Sequence, residues 1–166
     1  MKQQILIIFS LILSLPTYSQ TAEEYCQKGE ELVKQMKLEE AYKMFSKAIN
    51  LESIAKYYTK RGVVILMQGE QNKALKDFDK ALSIDNKFAE AFFFKGVVFQ
   101  AQEERTKAIE QYSKAIDANP NYTDAYLTRG LVKGSIGNNE EACIDIRKAV
   151  DLGSEKAVSK YQQLCK

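Results

Sequence analysis

Histidine is missing from all 166 residues, proline occurs twice, glycine eight times and cysteine three times. Without histidine there can be no Ser-His-Asp or Cys-His triad. Most zinc sites are also excluded, as is the usual acid–base residue of neutral pH. So few prolines and glycines leave long stretches free to be helical. No P-loop, glycine-rich dinucleotide turn or calcium loop is present. Charge of either sign is not in excess: 24 basic against 22 acidic residues give a formal +2. Such a balance provides no electrostatic reason to expect a nucleic acid or a lipid surface as partner. The acids are interleaved with bases, as in Glu39-Glu40 and Glu103-Glu104-Arg105, and read as solvated helix faces. No catalytic residue, cofactor or metal site is expected, and the chain is not read as an enzyme.

What is there divides into two unequal parts. Residues 1–19 carry Lys2, an apolar run of eleven from Ile5 to Leu15, the helix-breaking Pro16, and Thr17-Tyr18-Ser19 before Gln20. This order predicts a secretory signal peptide cut at Gln20. Eleven apolar residues fall short of the about 20 that span a bilayer, so no stable membrane span is expected after cleavage. No cysteine lies near the cut, which argues against a lipoprotein signal. The expected destination is the periplasm or the outside of the cell.

Residues 20–166 repeat themselves. Glycine recurs at Gly29, Gly62, Gly96 and Gly130, in steps of 33, 34 and 34. Alanine follows twelve residues later each time, at Ala41, Ala74, Ala108 and Ala142, and again seven further on, at Ala48, Ala81, Ala115 and Ala149. A fixed period of this length means stacked supersecondary units. Within each unit the apolar residues are spaced three and four apart in two runs, as two amphipathic helices would space them. In the third copy the spacing predicts that Phe92, Gly96 and Phe99 are buried by the first helix, and Ala108, Tyr112 and Ala115 by the second. Small residues recur where two helices approach closely. Gly69 and Gly137 mark turns inside copies two and four, Asp85-Asn86 and Asn119-Pro120 turns between copies. After Ala149 the motif does not restart. One amphipathic segment of about 154–165 follows, which suits a cap on the last repeat.

This pattern resembles the tetratricopeptide repeat, whose skeleton is an aromatic, leucine-glycine, an aromatic, alanine, an aromatic and a closing proline. The third copy matches with Phe92, Gly96, Phe99, Ala108, Tyr112 and Pro120, and the second with Tyr58, Gly62, Ala74, Phe78 and Ala81. The first matches with Tyr25, Gly29, Leu32, Ala41, Phe45 and Ala48; the fourth keeps Tyr126, Gly130, Ala142 and Ala149. The resemblance implies an all-α, right-handed αα solenoid of four helix pairs, at about 22–54, 55–88, 89–122 and 123–153, plus the cap. It also implies a module for protein–protein interaction, with a protein or peptide partner in a concave groove. The second apolar stripe of the first helices, Val63, Leu66, Phe93, Val97, Leu127 and Leu131, falls at the groove-lining positions. The family's clamp for a peptide carboxylate places lysines and asparagines there. This chain has Thr59, Phe93 and Leu127 at one level and Glu30, Val63, Val97 and Leu131 at the next, so an apolar peptide or helix is the expected ligand. The alternatives are that these side chains pack on neighbouring helices, or that a neighbouring subunit of an envelope assembly fills the groove permanently.

Three departures from the family pattern carry information. The leucine before the glycine is replaced throughout by a base: Lys28, Arg61, Lys95 and Arg129. Sixteen residues after each arginine stands an aspartate, Asp77 or Asp145, but Met44 and Gln111 follow the lysines. Arginine's planar fork suits a carboxylate, and lysine can reach water unaided, so Arg61–Asp77 and Arg129–Asp145 are predicted as ion pairs within their repeats. The link from Ala48 to Gly62 is one residue shorter than its counterparts, predicting a tighter turn there. Finally, Cys143 and Cys165 both fall where the last repeat meets the cap. They are read either as a disulfide or as two buried thiols, with Cys26 unpaired in both cases.

Overall fold

A computed structural model describes residues 20–165, and the leader predicted for residues 1–19 lies outside them. Nine helices make up the described residues, in chain order α1 (Ala22–Lys34), α2 (Leu38–Leu51), α3 (Ala55–Met67), α4 (Gln71–Ile84), α5 (Ala89–Ala101), α6 (Arg105–Ala118), α7 (Thr123–Ser135), α8 (Asn139–Asp151) and α9 (Glu155–Leu164). Each odd helix packs most extensively on the even helix that follows it, and each pair then stacks on the next, with α9 lying on α8. The fold is an all-α array of paired helices. In addition, α3 touches α5 directly, so the first helices draw together on one side and the array curves toward them.

The closest approach inside each pair depends on glycine. A Cβ at Gly29, Gly62 or Gly96 would lie 2.8, 2.6 or 2.5 Å from the ring of Phe45, Phe78 or Tyr112 respectively. Each ring therefore occupies the space that a side chain on the first helix would need. Where Ile146 replaces the ring, the backbone itself moves in: a Cβ at Gly130 would meet the Ala142 carbonyl at 2.9 Å. Around these locks the repeating alanines are almost wholly buried.

Helix ends follow equally local causes. Thr21 opens α1 with a reciprocal cap, its hydroxyl accepting from the Glu24 amide at 3.2 Å and the Glu24 carboxylate accepting from the Thr21 amide at 2.9 Å. Inside every pair the first helix stops at one left-handed residue: Met36, Gly69, Glu103 and Gly137, with φ of 59°, 85°, 62° and 90°. The amide after it reaches back to a carbonyl five residues earlier, for example Lys37 to Leu32 and Asn138 to Lys133. Between pairs, Asp85 and Asn119 accept from the amides of Lys87 and Asn121, closing the turns. The link between α2 and α3 holds three residues, 52–54, where 85–88 and 119–122 hold four.

One burial expectation needs correction. In α5 the buried residues are Ala91, Gly96 and Val98, whereas Phe92 and Phe99 are only half-buried. Ala91 and Val98 pack into the cluster of Ala55, Ala74, Phe78 and Ala81, and the Tyr112 ring already fills the space facing Gly96, so no room at that depth is left for Phe92 and Phe99. The rings lean instead into the clefts between helices.

Candidate functional site

Two groups of residues join one repeat to the next, and together they shape the concave face. The first lies inside the array. Arg61 on α3 donates from Nε and Nη2 to the two oxygens of Asp77 on α4, at 2.8 Å each. Arg129 on α7 does the same to Asp145 on α8, at 2.8 and 2.7 Å. Both carboxylates are buried, so two parallel hydrogen bonds replace the lost water. The third nitrogen of each fork reaches the preceding repeat: Arg61 donates to Ser46 on α2 at 3.2 Å, and Arg129 to Ser113 on α6 at 2.9 Å. Asp77 holds the Arg61 guanidinium's pKa above its ordinary value, more than burial lowers it. Tyr42 and Tyr58 lie 5.5 and 5.6 Å from that guanidinium and enclose it further.

Lysine does not behave as expected here. Lys95 is not left to water but reaches Asp79 on α4 at 2.6 Å. Ser46, Asp79 and Ser113 stand at matching places, two residues before Ala48, Ala81 and Ala115. From the second repeat onward the base therefore meets the repeat before it, with a serine under arginine and an aspartate under lysine, while Lys28 of the first repeat stays exposed. Spacing within a single repeat could not reveal this. A comparison of adjacent repeats at that position could have.

The second group crosses the concave face itself. Lys56 on α3 pairs with Glu23 on α1 at 2.9 Å, and Tyr57 donates to the same carboxylate at 3.2 Å. Lys56 lowers the Glu23 pKa, and burial with Glu23 pushes the Tyr57 phenol up to about 12. Lys60 lies between Glu30 on α1 and Glu90 on α5, at 3.3 and 3.4 Å. Burial opposes its charge, yet Glu90 and Glu30 prevail and raise its pKa. Beside this bridge lies a hollow of about 260 Å³, with Val33, Val63 and Phe94 among its walls and Glu30, Lys60 and Glu90 at its edge.

The six residues expected to line an apolar groove are thus distributed differently. Val63 lines the hollow, and Leu66 packs against the core shared by α3 and α4. Phe93 lies among Phe94, Tyr122 and Tyr112, with ring centroids at 5.3, 5.1 and 5.6 Å. Val97 joins the cluster of Ala108, Tyr112 and Val132. Leu127 is buried against Ile146 and Ala149, while Leu131 borders a second hollow closed by Gln163 and Leu164 of α9. Thr59 is wholly buried and donates to the Ala55 carbonyl. The expectation of a continuous apolar trough is corrected: ion pairs cross the α1–α3–α5 half, and much of the apolar stripe is engaged between helices. The sequence placed Glu30 at a groove level but without its partner, and Lys60, Glu90 and Phe94 were missed. The alternation of charge at intervals of thirty residues was the available signal.

Cys143 and Cys165 are joined by a disulfide, with Cα atoms 5.5 Å apart. Cys26 is a free, wholly buried thiol whose pKa burial pushes up to about 11. Among the described residues no cluster of acids, cysteines or histidines could hold a metal ion. No helix there is long and apolar enough to cross a membrane.

Paired helices locked by glycine and alanine, curved toward their first members, define a helical-repeat interaction scaffold. Residues 89–122 and 123–152 of the chain match the tetratricopeptide repeat family, and the helix pairs before them form the same kind of hairpin. Typically such repeats form a non-enzymatic scaffold in the chain that carries them. Its structure resembles PilF of Pseudomonas aeruginosa with a TM-score of 0.79 at 20% identity, over 86% of this chain and 67% of that one. It also resembles YrrB, described as a tetratricopeptide-repeat protein with an unusual peptide-binding site. There the TM-score is 0.67 at 22% identity, over 86% of this chain and 75% of that one. By sequence it is 35% identical over 66 residues to the DnaJ homolog subfamily C member 7 homolog of Schizosaccharomyces pombe, 37% of this chain. That match spans only 14% of the yeast protein's length.

Proposed function

We propose that this chain is an exported interaction module holding a peptide or short helix of a protein partner on its concave face. The observation that carries the reading is the hollow between α1, α3 and α5. Val33, Val63 and Phe94 there offer an apolar seat directly beside the Glu30–Lys60–Glu90 bridge. An apolar side chain of the partner enters the seat, and polar groups flanking it meet the bridge. The peptide-binding site ascribed to YrrB supports this use of the fold. Export draws support from the order of residues 1–19 and from a disulfide, which persists in oxidising compartments.

The binding test is recovery of partners from envelope extract by the wild type and by Val33→Glu/Val63→Glu, with circular dichroism showing both folded. At least a tenfold loss from the variant is expected, and equal recovery of every partner would sink the reading. Export is tested separately by N-terminal sequencing of the native protein. A mature chain starting at Gln20 is expected, whereas an uncut chain in the cytoplasm would refute export.

A further inference from the structure

We propose that the Cys143–Cys165 disulfide is a redox latch: it holds α9 on the end of the array, and a dithiol reductant releases the helix. Little else fastens α9. Ala157 is its one buried residue, whereas each of the other eight helices buries at least three. Val158 and Leu164 remain 42% and 55% exposed, so about half of their apolar surface gains nothing from docking. The Tyr161 ring lies 4.3 Å from the Arg147 guanidinium, and its hydroxyl accepts from Nη2 at 2.7 Å. That Arg147–Tyr161 hydrogen bond is solvent-exposed.

Placement makes the disulfide a latch rather than an extra brace. At the start of α9, Gly153 has φ of 89° and Ser154 caps the helix, so the chain can pivot there. The disulfide fastens the opposite end, closing a loop with a sequence separation of 22. Under the helix lie Leu127, Ile146 and Ala149, the apolar end of the array, with Leu131 at its margin. Hollows of about 520 and 420 Å³ open on the two sides of Cys143, giving a reductant two approaches. Cys26 sits buried in the first repeat, remote from this end, and cannot act as a resolving thiol.

The exchange balances with an external dithiol as the electron donor. Its thiolate attacks one sulfur of the disulfide, the other sulfur leaves as a thiolate, and a mixed disulfide forms. The second thiol of the donor then displaces the protein sulfur. Two electrons and two protons have passed to Cys143 and Cys165, and the donor is oxidised to its own disulfide. α9 is then held by Ala157, Tyr161 and the cap alone, and it opens.

Hydrogen exchange on the mature chain tests this, comparing the oxidised protein, the protein reduced with dithiothreitol, and the Cys143→Ser and Cys165→Ser variants. Amides of residues 157–164 should exchange at least tenfold faster in the last three samples, with α1–α6 unchanged, and reoxidation of the wild type should restore protection. Equal exchange in α9 before and after reduction would overturn the proposal. So would loss of protection throughout the array, since the disulfide would then be a requirement of the whole fold.

Discussion

Repeats two and four differ from repeats one and three in the same two places. The even repeats carry arginine before the glycine and glycine at the left-handed turn: Arg61 with Gly69, Arg129 with Gly137. The odd repeats carry lysine, and Met36 or Glu103 is forced into that turn. All four nonetheless form the same hairpin. Glycine facing a ring or isoleucine, with alanine around it, is therefore sufficient to set the geometry. The base and the turn decide how firmly it is held. In the even repeats the carboxylate stands within the repeat, on Asp77 and Asp145. In the third it stands on the preceding one, at Asp79, so the bond moves from inside the unit to the joint between units.

The largest effect is expected from breaking an even repeat. Arg61→Met leaves Asp77 buried without a counter-ion and should cost about 3 kcal/mol in urea unfolding. Arg129→Met should cost about 1 kcal/mol less, because Lys133 stays 3.1 Å from Asp145. Equal losses would show that Lys133 contributes nothing. Alkali should attack the third repeat next. Its interlocking ring is the ionisable Tyr112, where repeats one and two have Phe45 and Phe78. Burial raises the Tyr112 phenol above its ordinary 10.0. Below that pH both folded and unfolded chains keep the proton, and stability is full. Above it the unfolded phenol ionises first, so stability falls as pH rises toward the folded value. Tyr112→Phe should reduce this loss, read by circular dichroism between about pH 9 and 12. A variant as alkali-sensitive as the wild type would place the weakness elsewhere.

Smaller effects sharpen the odd-repeat side. Lys95→Met removes a pair whose Asp79 carboxylate is 61% exposed and should cost under about 1 kcal/mol. A loss equal to that of Arg61→Met would erase the distinction between the two kinds of repeat. Glu103→Gly should stabilise the chain by about 0.5 kcal/mol, since relief of the left-handed strain exceeds the added backbone freedom. A lowered melting temperature would contradict that.

Much of this was legible because a repeat declares its own helices: Gly96, Ala108 and Ala115 recur at intervals that no strand could use. The Arg61 and Arg129 forks could be anticipated since both partners lie in one hairpin, where helical spacing fixes who faces whom. The serines under those arginines could not, because their position depends on how one hairpin stacks on the last. Phe93 illustrates the same limit. Its stripe on α5 is evident, yet only the rotation between repeats decides whether that stripe meets Tyr112 and Tyr122 or an open groove.

Lys60 has a mechanical consequence. One ammonium grips acids from the repeats on either side of its own, on the inner side of the bend, so it acts as a drawstring on three consecutive units. Flattening the array would have to pull at least one of those acids away. Ionic strength weakens such a tie, with a Debye length of about 8 Å at 0.15 M and about 3 Å at 1 M. The rod's bend should therefore slacken in concentrated salt, with a larger radius of gyration in small-angle scattering, and Lys60→Met should be slack at every salt concentration.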